Sequence, residues 1–98
     1  TIANLFIIKE KTIITPPLSD GPVNGVMRRY LLQNIPSLGY HMEEYSISEN
    51  DLAQADECFL TNAIQGIKWV GQSGDNFYQK KHVVSVYNEL IQPLWNQN

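Results

Sequence analysis

One cysteine, Cys58, and two well-separated histidines, His41 and His82, are all that the 98 residues offer to a disulfide or a soft metal ion. A lone cysteine excludes an intramolecular disulfide framework and a cysteine-based zinc site, and the histidines have no metal-ligand spacing, so no metal is expected. Positive charge is also scarce. Seven Lys and Arg against ten Asp and Glu leave a formal charge of -3, so no basic field exists to hold nucleic acid or an anionic membrane surface. Long apolar runs are missing: stretches such as Leu5 to Ile8 fall far short of a membrane span, and no cationic start leads into an apolar signal segment. These absences point to a cytoplasmic protein with neither nucleic acid nor membrane as partner.

What is present is 43% hydrophobic, enough for one domain over residues 1–98 with a modest core. The chain opens on Thr1 and runs directly into strand-like sequence, which predicts a piece of a larger protein. Asn4 to Lys9 is a β-branched and aromatic run of the kind a buried strand carries. Glu10-Lys11 reads as a tight turn, Thr12 to Thr15 as the return strand of a hairpin, and Pro16-Pro17 as its end. A loop rich in turn formers, Leu18 to Gly25, leads into a helix from Val26, whose Met27, Tyr30, Leu31 and Ile35 share a face while Arg28, Arg29 and Gln33 point away. Pro36 stops that helix. His41 to Ile47 reads as a short half-exposed strand, and Ser48 with Asp51 as a capping box opening a short helix. Further strands are expected at Glu57–Thr61 and Gly66–Val70, with a turn at 62–65 between them. A small strand is expected at Phe77-Tyr78, and a last helix from His82 to Leu90, ended by Pro93. Alternating strands and helices without repeat or linker indicate an α/β domain.

Two loop junctions carry chemistry. At Gly25-Val26-Met27 a flexible loop opens a helix whose first backbone N–H groups can bind an anion, although Asn24 merely capping a surface helix is the ordinary alternative. At Thr61-Asn62-Ala63 a strand ends in hydroxyl, amide and backbone donors, and ligands of α/β folds gather at such ends. Other groups read as structural. The adjacent carboxylates Glu43-Glu44 and Asp56-Glu57 diverge as sequence neighbours and read as solvated charges. Cys58 lies in an apolar run and reads as a buried inert thiol. Trp69, Phe77 and Tyr78 read as core or interface aromatics. His41 and His82 show no carboxylate or serine partner in the sequence, and no lysine occupies an apolar setting that would lower its pKa. The residues alone show no catalytic machinery.

The ordered series Ala3-Asn4-Leu5-Phe6, Thr15-Pro16-Pro17-Leu18, Gly25-Val26-Met27-Arg28, Ala55-Asp56-Glu57, and Phe59-Leu60-Thr61-Asn62-Ala63 with Gly66-Ile67 resembles the C-terminal part of class IV, or fold-type IV, pyridoxal-phosphate enzymes. That family includes branched-chain aminotransferase, D-amino-acid aminotransferase and 4-amino-4-deoxychorismate lyase. The resemblance implies a mixed β-sheet or pseudo-barrel with flanking helices, forming the C-terminal fragment of a two-domain enzyme that is a homodimer. It implies pyridoxal 5'-phosphate as cofactor and a small-molecule amino substrate. The phosphate cup falls on Gly25, Val26, Met27, Thr61, Asn62 and Ala63; Val23 presses on the pyridine ring. The turn at Ala63 and Ile64 offers amides to a substrate carboxylate, and residues 1–4 end the segment on the cofactor's other side. Where many members carry a threonine, this chain has Met27, and Ala63 replaces a serine or threonine, which shifts weight to Asn62. The Schiff-base lysine, the glutamate that pairs with the pyridine nitrogen and an arginine of the phosphate cup map upstream of Thr1, so the resemblance assigns no catalytic residue here and predicts that the 98 residues alone are inactive. The Thr61-to-Ile67 stretch is similar to the lyase group, which releases pyruvate and makes 4-aminobenzoate for folate synthesis. A class IV aminotransferase is the second expectation, and a non-catalytic anion-binding or assembly module the third.

Overall fold

The computed structural model describes residues 3–20 and 25–96. Strands β1 (Leu5–Lys9) and β2 (Thr12–Thr15) form the expected hairpin, with Ile7 opposite Ile14 and Ile8 opposite Ile13. Its turn places Glu10 at φ 56, a left-handed conformation secured by the Glu10 amide, which donates to Asp56 Oδ2 at 2.8 Å. Helix α1 (Val26–Asn34) crosses back to β3 (His41–Glu44), which pairs parallel to β2. A 3-10 turn over Ile35–Leu38, with Pro36 in its first positions, ends α1 as the proline requires. Helix α2 (Glu49–Gln54) opens on the reciprocal capping box of Ser48 and Asp51. Strands β4 (Glu57–Asn62) and β5 (Gly66–Trp69) complete a mixed five-stranded sheet in the order β3-β2-β1-β4-β5, and β6 (Gln72–Ser73) with β7 (Asn76–Phe77) forms a separate small hairpin.

Side-chain alternation along the central strands builds two cores. On one face Phe6 and Phe59 stack across the β1/β4 pair with ring centroids 4.9 Å apart, joined by Ile8 and Ile13 and covered by Leu31 and Ile35 of the α1 region. The C-terminal helices add Val83, Val86, Leu90 and Ile91 to that face. On the other, Ile7, Ile14, Cys58 and Tyr78 pack with Leu52 and Ala55 at α2.

Several expectations fail through long-range contacts. Arg28 does not face solvent: it is 2% exposed, and its Nη2 donates to the Pro16 carbonyl at 3.0 Å and to Glu44 Oε1 at 3.3 Å. Glu57 is not solvated either. At 1% exposure its carboxylate accepts the His82 and Val83 amides at 2.9 and 2.8 Å, capping α3 (Lys81–Val86) from the neighbouring strand. His41 does have a carboxylate partner, two residues on, in Glu43 at 2.7 Å, while the Tyr40 hydroxyl lies 2.8 Å from His82 Nδ1. Pro93 does not end the last helix. After α3 the chain widens into a π turn at Tyr87–Ile91 and resumes as α4 (Gln92–Trp95), where Pro93 occupies the first turn and no intrahelical N–H is required of it. Of Trp69, Phe77 and Tyr78 only Tyr78 is buried, while Phe77 and Trp69 are exposed. The small strand ends one residue early, at Phe77.

Candidate functional site

Where β1 begins and β4 ends, the sheet opens into a cavity of about 320 Å³. Three pieces of chain far apart in sequence meet there: Asn4, the start of α1 from Gly25 to Arg28, and Thr61 to Ala63. Gly66 and Trp95 complete the wall. All six expected cup residues within the described chain thus lie around one space. Val23, the seventh, lies outside the described residues. Ile64 is 85% exposed and lines a second cavity of about 540 Å³, which shares Thr61, Asn62 and Ala63 with the first.

Gly25, the N-cap of α1, has no side chain with which to satisfy the amides that follow, and no side-chain cap bond forms. Asn24, whose capping was the ordinary alternative, lies outside the described residues. The amides of Val26, Met27 and Arg28 therefore have no partner within the helix and carry the positive end of its dipole. At the strand end, Thr61 is tied to the start of β1: the Asn4 amide donates to Thr61 Oγ1 at 2.8 Å, and the Thr61 amide to the Asn4 carbonyl at 2.9 Å. Because the Thr61 hydroxyl accepts there, its own proton is left to be donated. Asn62 Oδ1 accepts the Ile64 and Gln65 amides, both at 2.8 Å. Two donors on one atom fix it as the oxygen, so the Nδ2 amine is the end free of the turn. The Ile64 amide, expected to meet a substrate, is spent on that turn.

The lining is mostly apolar with a few donors, and among the described residues no carboxylate lines the cavity. Two buried polar atoms of lining residues, Arg28 Nε and Asn4 Oδ1, have no hydrogen-bond partner among the described residues. None of the lysines 9, 11, 68, 80 or 81 lines it, and all five are exposed. Cys58 lies away from the site, and burial pushes its thiol up to about 11, which keeps it protonated and unreactive at neutral pH. No group of three or more His, Cys, Asp or Glu able to hold a metal occurs among the described residues.

Three lining residues escaped the sequence reading. Arg28 was placed on the outward face because periodicity counts it as polar. Gly66 lies at φ 87, and a Cβ there would come 2.6 Å from Ile91 Cγ2; this close approach depends on a helix some 25 positions away. Trp95 lies beyond every motif quoted, on a helix segment that Pro93 was expected to prevent.

The family model described as amino-transferase class IV matches residues 1–71. A branched-chain-amino-acid aminotransferase of Arabidopsis thaliana is 36% identical over 69 residues, which cover 70% of this chain and 18% of that protein. An aminodeoxychorismate lyase of Bacillus subtilis is 33% identical over an alignment covering 96% of this chain and 37% of its own length. The chain therefore spans well under half the length of either relative. Among solved structures, a putative 4-amino-4-deoxychorismate lyase from Legionella pneumophila superposes with a TM-score of 0.81 at 30% identity, covering 95% of this chain and 34% of that one. An aminotransferase from Brucella abortus, solved with PLP bound, shares the fold at a TM-score of 0.84 and 18% identity, covering 95% of this chain and 33% of that one. With the family match running from the first strand through β5 and enclosing both halves of the cavity, the chain belongs to the class IV aminotransferase family.

Proposed function

We propose that this chain is the phosphate-holding part of a pyridoxal-phosphate enzyme, and that the whole protein is a 4-amino-4-deoxychorismate lyase, releasing pyruvate and leaving 4-aminobenzoate. The observation that carries the reading is the convergence of an uncapped helix start and a donor-bearing strand end on one cavity without carboxylates. A phosphate monoester is a dianionic cluster of acceptor oxygens, and the lining offers it the amides of the helix start, the Thr61 hydroxyl and the Asn62 Nδ2 amine. The residues therefore fit the group.

Bound there, the cofactor would supply an electron sink for breaking a bond on the substrate. The chain's own contribution is to hold and orient it. The Val26 and Met27 amides would bind the phosphate from the helix side, and the Thr61 hydroxyl, Asn62 and the Ala63 backbone from the strand side. Ala63, which like Thr61 and Asn62 borders both cavities, would offer its backbone to a substrate carboxylate as well. Val23 on the ring face rests on the family resemblance. With every lysine exposed and none lining the cavity that takes the phosphate, the covalent attachment of the cofactor falls in this reading to a part of the protein other than these 98 residues, which by themselves are inactive.

The lyase assignment is supported by the Bacillus subtilis lyase, whose alignment runs through 96% of the chain. A branched-chain aminotransferase is the second reading, supported by the Arabidopsis relative. The protein is further proposed to be cytoplasmic and homodimeric; among the described residues no helix is long and apolar enough to cross a membrane. The test is by product. The full-length protein given 4-amino-4-deoxychorismate is expected to yield 4-aminobenzoate and pyruvate. Transfer of the amino group from a branched-chain amino acid to a 2-oxo acid, without that cleavage, would favour the aminotransferase. Anion binding with neither product would leave the non-catalytic module.

A further inference from the structure

We propose that Lys68 selects a substrate with two carboxylates: its ammonium meets the second carboxylate, while the turn after β4 holds the first. The inference rests on the lyase reading above and names the substrate class of that same site. Neither the motif spacing nor the resemblance assigned Lys68 a role.

Lys68 stands on β5 directly opposite Leu60 of β4. Side chains alternate along a strand, and the neighbouring Ile67 enters the core, so Lys68 shares the other face of the sheet with Leu60. Both line the second cavity, the one of about 540 Å³ whose wall includes Thr61, Asn62 and Ala63 of the phosphate site. Ala3, Leu60 and Ile64 make the rest of that wall apolar, and among the described residues Lys68 is its single charged group. Other lysines are engaged elsewhere: Lys9 pairs with Asp56, and Lys11 and Lys80 lie over the rings of Tyr40 and Trp69. Lys68 is exposed and forms no ion pair among the described residues. An unpaired ammonium in the wall of a cavity that no carboxylate lines is complementary to an anionic group on the molecule held there.

The spacing suits a compact dicarboxylate. Asn62, with its free Nδ2, and the Ala63 backbone lie at one end of the cavity, and Leu60, the partner of Lys68, is two residues back along β4, about 7 Å at the rise of a strand. A ring bearing two carboxylates bridges such a span, and the flexible lysine stem takes up the difference. The proposed reaction demands a molecule of this kind. Pyruvate and 4-aminobenzoate are both carboxylic acids, so the substrate that yields them carries both carboxylates. A branched-chain amino acid has one carboxylate and an apolar side chain, and gains nothing from an ammonium in the wall.

The competing explanation is that Lys68 only keeps an edge strand soluble, with no effect on ligand charge. The two separate in the ratio of affinities for isophthalate and benzoate, which share a ring and differ by one carboxylate. Equilibrium binding of each to the full-length holoenzyme would be measured for the native protein, Lys68→Met, Lys68→Gln and Lys68→Arg, at low and high salt. The native protein is expected to prefer isophthalate, less so as salt screens the charge. Lys68→Met and Lys68→Gln are expected to lower the ratio about fivefold, with benzoate binding nearly unchanged, and Lys68→Arg to keep most of it. With 4-amino-4-deoxychorismate, Lys68→Met should raise KM by a similar factor and leave kcat nearly unchanged. Equal losses for the two probes, a ratio that neither neutral variant moves, or a loss in Lys68→Arg as large as in Lys68→Met overturns the proposal. If Lys68→Met aggregates, Lys68→Gln decides. A native protein that forms no 4-aminobenzoate but loses its dicarboxylate preference in Lys68→Met refutes the lyase reading and supports the role of Lys68. One that forms 4-aminobenzoate with a preference untouched by Lys68→Met refutes the role of Lys68 alone.

Discussion

Replacing Gly66 by alanine tests how the C-terminal helix is held over the site. Gly66 opens β5 at φ 87, a region that costs a non-glycine residue about 1–3 kcal/mol. The added Cβ would also lie 2.6 Å from Ile91 Cγ2 and 3.4 Å from Cδ1, and forcing a methyl into a filled core costs a further 1–3 kcal/mol or so. Ile91 is fully buried in the π turn and cannot swing into open space. The expected loss is therefore about 2–6 kcal/mol, a large part of the stability of a small domain, with a fall in melting temperature of at least about 8 °C. Urea unfolding of the Gly66→Ala, Ile91→Ala and double variants closes a thermodynamic cycle. Ile91→Ala removes the clashing methyl, so the double variant should be more stable than the sum of the single losses by about 1–3 kcal/mol, the backbone strain remaining. A Gly66→Ala loss below about 1 kcal/mol, or strictly additive losses, would refute the close-packing argument. Because Gly66 and Trp95 line the same cavity, Gly66→Ala should also weaken cofactor binding by pushing Ile91, and the α4 turn after it, outward.

Three other outcomes follow from the same contacts. Thr61→Val keeps the shape of the side chain but leaves the Asn4 amide without its 2.8 Å acceptor, which should cost about 1–3 kcal/mol by denaturant unfolding and weaken pyridoxal 5'-phosphate more than pyridoxal. Glu57→Ala strips the cap from the His82 and Val83 amides; hydrogen exchange at those two positions should accelerate, with a stability loss of about 2–4 kcal/mol, and Glu57→Gln, retaining one acceptor, should lose less. Cys58 carries a pH dependence. The fold raises its thiol to about 11, so the folded chain holds a proton that the unfolded chain releases near its ordinary value of about 8.5 to 9. Stability should be level below that value and fall by up to roughly 3 kcal/mol as pH rises toward 11. Cys58→Ala should remove the onset of that fall. Burial also raises the Tyr40 and Tyr78 hydroxyls, which add their own loss at the alkaline end.

The features legible in sequence are those set by neighbours along the chain. The β1/β2 hairpin follows from a β-branched run, a two-residue turn and a proline stop; the Ser48-Asp51 capping box and the start of α1 need only a few adjacent positions. Both halves of the anion site were visible for the same reason, since each is a local junction. Their meeting across the sheet came from the family resemblance, because periodicity says nothing about which junctions share an end of a sheet. What escaped was set at long range. Glu57 is buried because a helix starting 24 residues later places two amides over it, and Arg28 because Pro16 and Glu44 enclose it. Pro93 is tolerated because a π turn shifts the helix frame before it, and that turn brings Trp95 to the site.

The central claim is that the start of α1 and the end of β4 together hold one phosphate. Amide chemical shifts of the full-length apoprotein, followed while pyridoxal 5'-phosphate, pyridoxal and inorganic phosphate are added in turn, test it most directly. Pyridoxal 5'-phosphate and inorganic phosphate should both move the Val26, Met27, Thr61 and Asn62 amides in concert, at one saturating concentration for each ligand, while pyridoxal leaves the Val26 and Met27 amides nearly still. Shifts confined to one of the two junctions, or the same response to pyridoxal as to its phosphate, would contradict it.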